Sequence, residues 1–295
     1  MDNMTAMVSC FARAYHYKNN SQWVFKDDMA EHILTKEEYD AISCNMSNGI
    51  SYFASGFTGT SDEALRFIVD NQLSPPVLAR SAFNEKALSN AVMLGCKQYV
   101  LFASGYDTYS LRTENKEINL YEIDLPEMIK DKRNRIIKSG LTENCKTIYV
   151  PCDLSDEAWT KILTGSGFDK KRSVFGSLLG ISYYLKKEEF VSLLKNISEL
   201  WCEGSSICFD YPSYEKGVQS IKNQELAAKA GEEMKARYSY EEMEQLLSEF
   251  GFLIYEHHDS KTATEHFFRK YNESLPEHMM EAPEGVNYCL AVKKY

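Results

Sequence analysis

The sequence predicts an α/β fold: a Rossmann-like, seven-stranded, mostly parallel sheet with helices on both faces and an N-terminal helical extension. Three observations predict it. Beyond residue 98, seven short apolar runs alternate with amphipathic stretches, the pattern of a parallel sheet wrapped by helices. The first run closes in a small-residue turn, Ala103-Ser104-Gly105, which lets backbone approach a ligand. The second closes in Glu122 and Asp124, about twenty residues past the glycine turn, where a carboxylate meets ribose hydroxyls in such folds.

Taken in order, residues 1–95 read as helical and irregular and form the extension or cap. Thr60-Ser61-Asp62 ahead of Glu63–Val69 reads as a capped helix start. Pro75-Pro76 breaks the chain and begins another helical stretch. Phe83 to Leu94 carries apolar residues at helical spacing, and Gly95 suits its C-cap. Residues 96–295 then form the sheet domain. Its strands are expected at Tyr99–Ala103, Ile118–Ile123, Thr147–Pro151, Ser173–Leu179, Ser206–Tyr211, Phe252–His257 and Tyr288–Val292. The intervening helices are expected at Pro126–Ser139, Glu188–Trp201 and Tyr240–Phe250. A long segment rich in Glu, His and Pro joins the last two strands, which could form an antiparallel hairpin at one end of the sheet. The segment 212–240 is a candidate lid.

Composition narrows the function. An apolar fraction of 44% over 295 residues supplies an ordinary globular core. A net charge of −10 argues against nucleic acid as a partner, because like charge repels phosphate. No stretch reaches the length of a membrane span, and Met1-Asp2-Asn3-Met4 lacks the basic and apolar regions of a signal peptide. The expected location is the cytoplasm. Eight cysteines include no C-x-x-C pair and no zinc-ligand spacing, so no metal is expected and free, buried thiols are.

The strand ends carry the chemistry. A dinucleotide turn needs three glycines and no acid, so that pyrophosphate can rest on backbone N–H groups. Here one glycine, Gly105, is followed by Asp107. A carboxylate there repels pyrophosphate and tolerates the sulfonium and ammonium of S-adenosylmethionine. Glu122 and Asp124 share one face of their strand by alternation, so either or both could hold a ribose diol. In Val150-Pro151-Cys152-Asp153-Leu154, Asp153 could accept the adenine amine, with Leu154 against the ring, or it could cap a helix over Ser155–Leu163.

In pattern and order these residues resemble the leucine carboxyl methyltransferase family, which also holds polyketide O-methyltransferases of the tetracenomycin type. The resemblance runs from about 75 to 215. It is carried by Ala79-Arg80-Ser81 with Gly95–Leu101, by Ala103–Thr108 with Arg112, by Glu122–Pro126 with Lys132, and by Val150–Leu154 with Trp159 and Tyr184-Leu185. It implies a class I S-adenosylmethionine-dependent methyltransferase. Arg80 would grip the methionine carboxylate. Ala103, Ser104 and Gly105 would pass under the methionine, Glu122 and Asp124 would hold the ribose, and Asp153 and Leu154 the adenine. Three positions depart from the family pattern: Ala103 replaces the first glycine of the turn, Asn84 stands for an aspartate, and Leu179 precedes Gly180 where the family has glutamate.

The expected reaction is methyl transfer to a carboxylate or hydroxyl of a small molecule, chiefly a matter of positioning. Tyr183, Tyr184 and Tyr211 are candidates beside the acceptor, and His257, His258 and His266 are candidate bases. Tyr15, Tyr17, Trp23, Tyr52, Phe53 and Phe57 could line its pocket. The alternatives are a catalytically impaired cofactor-binding or scaffold protein of this fold, favoured by Ala103 and Leu179, and a nicotinamide-dependent oxidoreductase, disfavoured by the missing glycines.

Overall fold

The computed structural model describes residues 4–215 and 234–295. Seven strands form one sheet: β1 Gln98–Phe102, β2 Asn119–Asp124, β3 Lys146–Pro151, β4 Phe175–Leu178, β5 Ser206–Pro212, β6 Phe252–His258 and β7 Val286–Lys293, in the order β3-β2-β1-β4-β5-β7-β6. The first five pair in parallel, while β7 runs antiparallel to both β5 and β6. The expected fold class and terminal antiparallel pair are therefore present, with β7 inserted between β5 and β6. Chain order reverses between β1 and β4, whose neighbouring ends form the crevice in which open α/β sheets take ligands.

Two apolar layers clamp the sheet. On one face Val100, Phe102, Ile123, Val150 and Phe209 pack under the Lys187–Leu200 and Tyr240–Glu249 helices. On the other, Tyr99, Leu101, Leu120 and Phe175 pack under Leu78, Phe83, Ala87 and Leu88 of a long helix, Ser74–Met93. That helix starts at the expected Pro75-Pro76 and follows the Ser61–Ile68 helix through one π-helical turn, Val69–Leu73. Pro75 and Pro76 lie in its first turn, so they admit the helix instead of breaking the chain. Its end is as expected. Gly95, at φ 97°, donates to Val92 O and Cys96 N to Ala91 O, a Schellman closure.

A third cluster joins the first helix, Met4–Asn19, to the Pro126–Lys138 helix through Cys10, Phe11, Tyr15, Tyr106, Met128 and Ile136. Thr60 and Glu63 form the expected capping box, and Thr35 with Glu38 and Ser239 with Glu242 form two more. The helix expected over Ser155–Leu163 is shorter, Trp159–Gly165, because a turn from Asp153 to Ala158 precedes it. All eight cysteines are free, but Cys44 is exposed and only Cys10, Cys96, Cys152, Cys208 and Cys289 are fully buried. Of the expected lid, residues 216–233 lie outside the described residues.

Candidate active site

A cavity of about 270 Å³ opens at the switch point. Its floor is the end of β1 and its turn, Leu101 to Asp107, with Asp124, Leu125 and Met128 on one side and Leu179, Gly180, Ile181 and Tyr184 on the other. Thr5, Ala6, Ser9 and Arg13 of the first helix, with Arg80 and Ser81 of the long helix, close it above. A larger depression of about 1000 Å³ lies against 259–284, lined by Glu215, Glu265, Glu273, Glu281 and Glu284 among others. It touches neither the glycine turn nor the ends of the parallel strands, so it is not the site these residues build.

The floor is a strained turn. Ala103 sits at φ 49°, the one non-glycine residue with positive φ among the described residues, and Gly105 follows at φ 48°. A methyl group in the left-handed region costs about 1–2 kcal/mol relative to the right-handed one. Hydrogen bonds hold the turn there: Ser104 N to Ile123 O at 3.1 Å, Gly105 N to Asp124 Oδ2 at 2.7 Å, and Asp107 N to Ser104 O at 2.9 Å. Asp124 also accepts from Leu125 N at 2.7 Å, so one carboxylate ties the turn to the next helix. Burial raises the Asp124 pKa, and these two backbone donors pull it back down. Among the described residues, Ser104 Oγ is buried with no hydrogen-bond partner. An orphaned hydroxyl facing a cavity is a ready contact for a polar ligand.

Arg80 reaches the cavity with its side chain 17% exposed. Its Nη2 donates to Ser9 Oγ at 3.3 Å, and its Nη1 lies 3.6 Å from Asp210 Oδ2. Gly180, at φ 69°, makes room for it, since a Cβ there would lie 2.5 Å from Nη1.

A second network fastens the extension to the turn. Buried Asp27 accepts from Arg13 Nε at 2.8 Å and from Thr108 Oγ1 at 2.7 Å, and pairs with Arg112 Nε at 3.2 Å. Arg13 in turn donates to Tyr106 O at 2.7 Å. Its two arginines hold the Asp27 carboxyl below its ordinary value against the upward push of burial. Sequence reading missed this hub, because Asp27 lies in an irregular stretch with no motif around it.

The expected site residues divide. Arg80, Ala103, Ser104, Gly105, Asp124 and Tyr184 all line the cavity. Glu122 does not. It is wholly buried one pleat deeper, paired to Lys132 Nζ at 2.6 Å. Burial pushes its pKa up to about 7, although Lys132 pulls the other way. Asp153 and Leu154 lie outside the lining as well, and Asp153 accepts from Ser155 N and Oγ, both at 2.8 Å. Tyr183 is buried behind the wall and donates to Asp210 Oδ2 at 2.8 Å. Tyr211 lies on the opposite core layer, its hydroxyl 2.8 Å from His257 Nε2. His258 binds Glu256 at 2.8 Å with the His266 ring tilted against it, and none of the three histidines lines the cavity. Nor do the six aromatics of the extension: Tyr15 is core, and Tyr17 stacks on Trp23.

The profile of the leucine carboxyl methyltransferase family matches residues 6–198. YktD of Bacillus subtilis (strain 168), whose name assigns it to the S-adenosyl-L-methionine-dependent methyltransferases, is 35% identical over 99% of this chain and 98% of its own length. A Saccharopolyspora erythraea protein so named is 30% identical over 48% of this chain and 49% of its own. A DUF574-family crystal structure from Streptomyces avermitilis aligns with a TM-score of 0.59 at 15% identity, covering 97% of each chain, which speaks to the fold alone.

Proposed function

This chain belongs to the leucine carboxyl methyltransferase family and is an S-adenosylmethionine-dependent methyltransferase, and from that premise we propose that it methylates a carboxylate or hydroxyl oxygen of a small molecule. One observation favours the carboxylate: no histidine lines the cavity among the described residues. A carboxylate acceptor is ionised at neutral pH and needs no base, whereas an alcohol gains from one. The family's name points to the same acceptor chemistry.

Three groups at the cavity support the cofactor's placement there. Arg80 offers its guanidinium to a carboxylate, Ser104 Oγ an unused hydroxyl, and Asp124 a carboxylate beside the turn for a diol. Bound there, the cofactor supplies a methyl group on a positively charged sulfur. The chain's own part is to orient the acceptor oxygen in line with that methyl and to exclude water. In this reading residues 1–95 form the cap: Thr5, Ala6 and Ser9 roof the cavity, and the Asp27 hub keeps the roof seated on the turn. Tyr184 stands at the acceptor side, and Asp153 with Leu154 would meet adenine only after the 153–158 turn moves inward. The acceptor is a small molecule and not a nucleic acid, on the charge of −10. No helix among the described residues is long and apolar enough to cross a membrane, and we place the protein in the cytoplasm.

Titration calorimetry with S-adenosylhomocysteine tests the site. Binding by the wild type and loss of at least tenfold in Arg80→Ala are expected. Unchanged affinity would remove Arg80 from the site. A screen of carboxylates and phenols for S-adenosylhomocysteine release then identifies the acceptor. Turnover confined to alcohols would refute the carboxylate preference.

A further inference from the structure

The family's glutamate before the glycine that follows the fourth strand is Leu179 here, and its aspartate at position 84 is Asn84. The first loss leaves the Gly180 turn, against which Arg80 packs, without its own carboxylate, whereas Asn84 points elsewhere and donates to Tyr99 Oη at 2.9 Å. One carboxylate nevertheless stands beside Arg80. Asp210, near the end of β5, is wholly buried. Its Oδ1 accepts from Gly180 N at 2.6 Å, its Oδ2 accepts from Tyr183 Oη at 2.8 Å, and Arg80 Nη1 lies 3.6 Å from Oδ2. Ser182 Oγ closes on its backbone oxygen at 2.5 Å. Burial, and then Asp210 itself, push the Tyr183 phenol well above its ordinary value, which keeps it a donor.

Resting on the cofactor assignment above, we propose that Asp210 is the positioning residue for the methionine end of S-adenosylmethionine, holding Arg80 and the Gly180 turn in the geometry that receives it. Three facts carry this. Among the described residues, Asp210 is the only acid in an ion pair with Arg80. The same carboxylate fixes the Gly180 N–H, and Gly180 is the residue whose missing side chain admits the guanidinium. The pair is loose at 3.6 Å, and Ser9 Oγ is the sole hydrogen-bond acceptor Arg80 meets among the described residues. Its other donors therefore remain for a ligand carboxylate. A guanidinium without a counter-charge would swing to water, and ordering it again on binding would weaken affinity.

The test compares two ligands. S-adenosylhomocysteine carries the amino-acid end; 5′-methylthioadenosine shares its adenosine and sulfur but lacks that end. Asp210→Asn should weaken the first at least tenfold and the second less than twofold by calorimetry. Leu179→Glu added to Asp210→Asn should recover at least half of the lost affinity on a logarithmic scale. Equal weakening of both ligands, or unchanged or tighter binding of S-adenosylhomocysteine, overturns the proposal. Should Asp210→Asn not fold, Tyr183→Phe, which removes one donor to the carboxylate, is read by the same ratio: a selective loss of two- to fivefold supports the proposal, and an unselective one or none refutes it. Wild-type protein that binds neither ligand would instead overturn the cofactor site itself.

Discussion

Glu122 and Lys132 offer the sharpest separation of a stability role from a binding role. The two side chains meet at 2.6 Å with exposures of 0% and 1%, and Glu122 Oε1 has no hydrogen-bond partner among the described residues. Removing one partner of such a pair leaves an unpaired buried charge, a loss of about 3–5 kcal/mol. Above pH 7, where Glu122 is ionised, Glu122→Gln should therefore lower the melting temperature by roughly 6–20 °C, at about 2–4 °C per kcal/mol for a large domain. Replacing both partners by Met keeps the volume and removes both charges. That double variant should melt within a few degrees of the wild type or above it, since incompletely satisfied buried pairs give way to apolar residues at little cost. The pH sign follows from the raised pKa. Folded Glu122 holds its proton up to about 7 against an ordinary 4.5. Its stabilising contribution is thus full below 4.5 and lost as pH rises through 7. The double variant should gain on the wild type across that window. Calorimetric melting and S-adenosylhomocysteine titration read both halves. The double variant should bind within threefold of the wild type, whereas Asp124→Asn should lose at least tenfold. A folded double variant that loses binding as Asp124→Asn does would refute the assignment of Glu122 to the interior.

Three further outcomes follow. Ala103→Gly should raise the melting temperature by roughly 1–2 °C: relief of the left-handed strain at φ 49°, about 1–2 kcal/mol, exceeds the entropy that glycine adds to the unfolded chain, about 0.4–1 kcal/mol; a fall in a thermal scan would show the turn unstrained. Gly180→Ala should displace Arg80, because its Cβ would lie 2.5 Å from Nη1, and weaken S-adenosylhomocysteine at least tenfold by calorimetry; wild-type affinity would mean that Arg80 can shift freely. His16, held neutral with its pKa pushed down to about 3 by burial, accepts from Val24 N at 2.9 Å. Its contribution is full above 6.5 and lost as pH falls, by up to about 1.4 kcal/mol per unit. Urea unfolding between pH 7 and 4 should be steeper in the wild type than in His16→Gln, and parallel curves would contradict this.

Fold class and the turn that floors the cavity were legible in residue order. Buried parallel strands read as continuous apolar runs, so β1, β4 and β5 stood out most, the Ala103-Ser104-Gly105 turn by residue type, and Arg80 through the family resemblance. Which carboxylate lines the cavity is a matter of tertiary structure. Glu122 and Asp124 share a face, yet two residues of strand carry Glu122 about 6–7 Å deeper, under Lys132 and outside the cavity lining. Alternation reports a face and not a depth. Asp210 and Asp27 were illegible for another reason. One lies thirty residues from the Gly180 N–H that it binds, the other eighty-one from Thr108. Contacts of that separation exist only once the strands are ordered, because sheet order, not chain order, sets which strand ends meet.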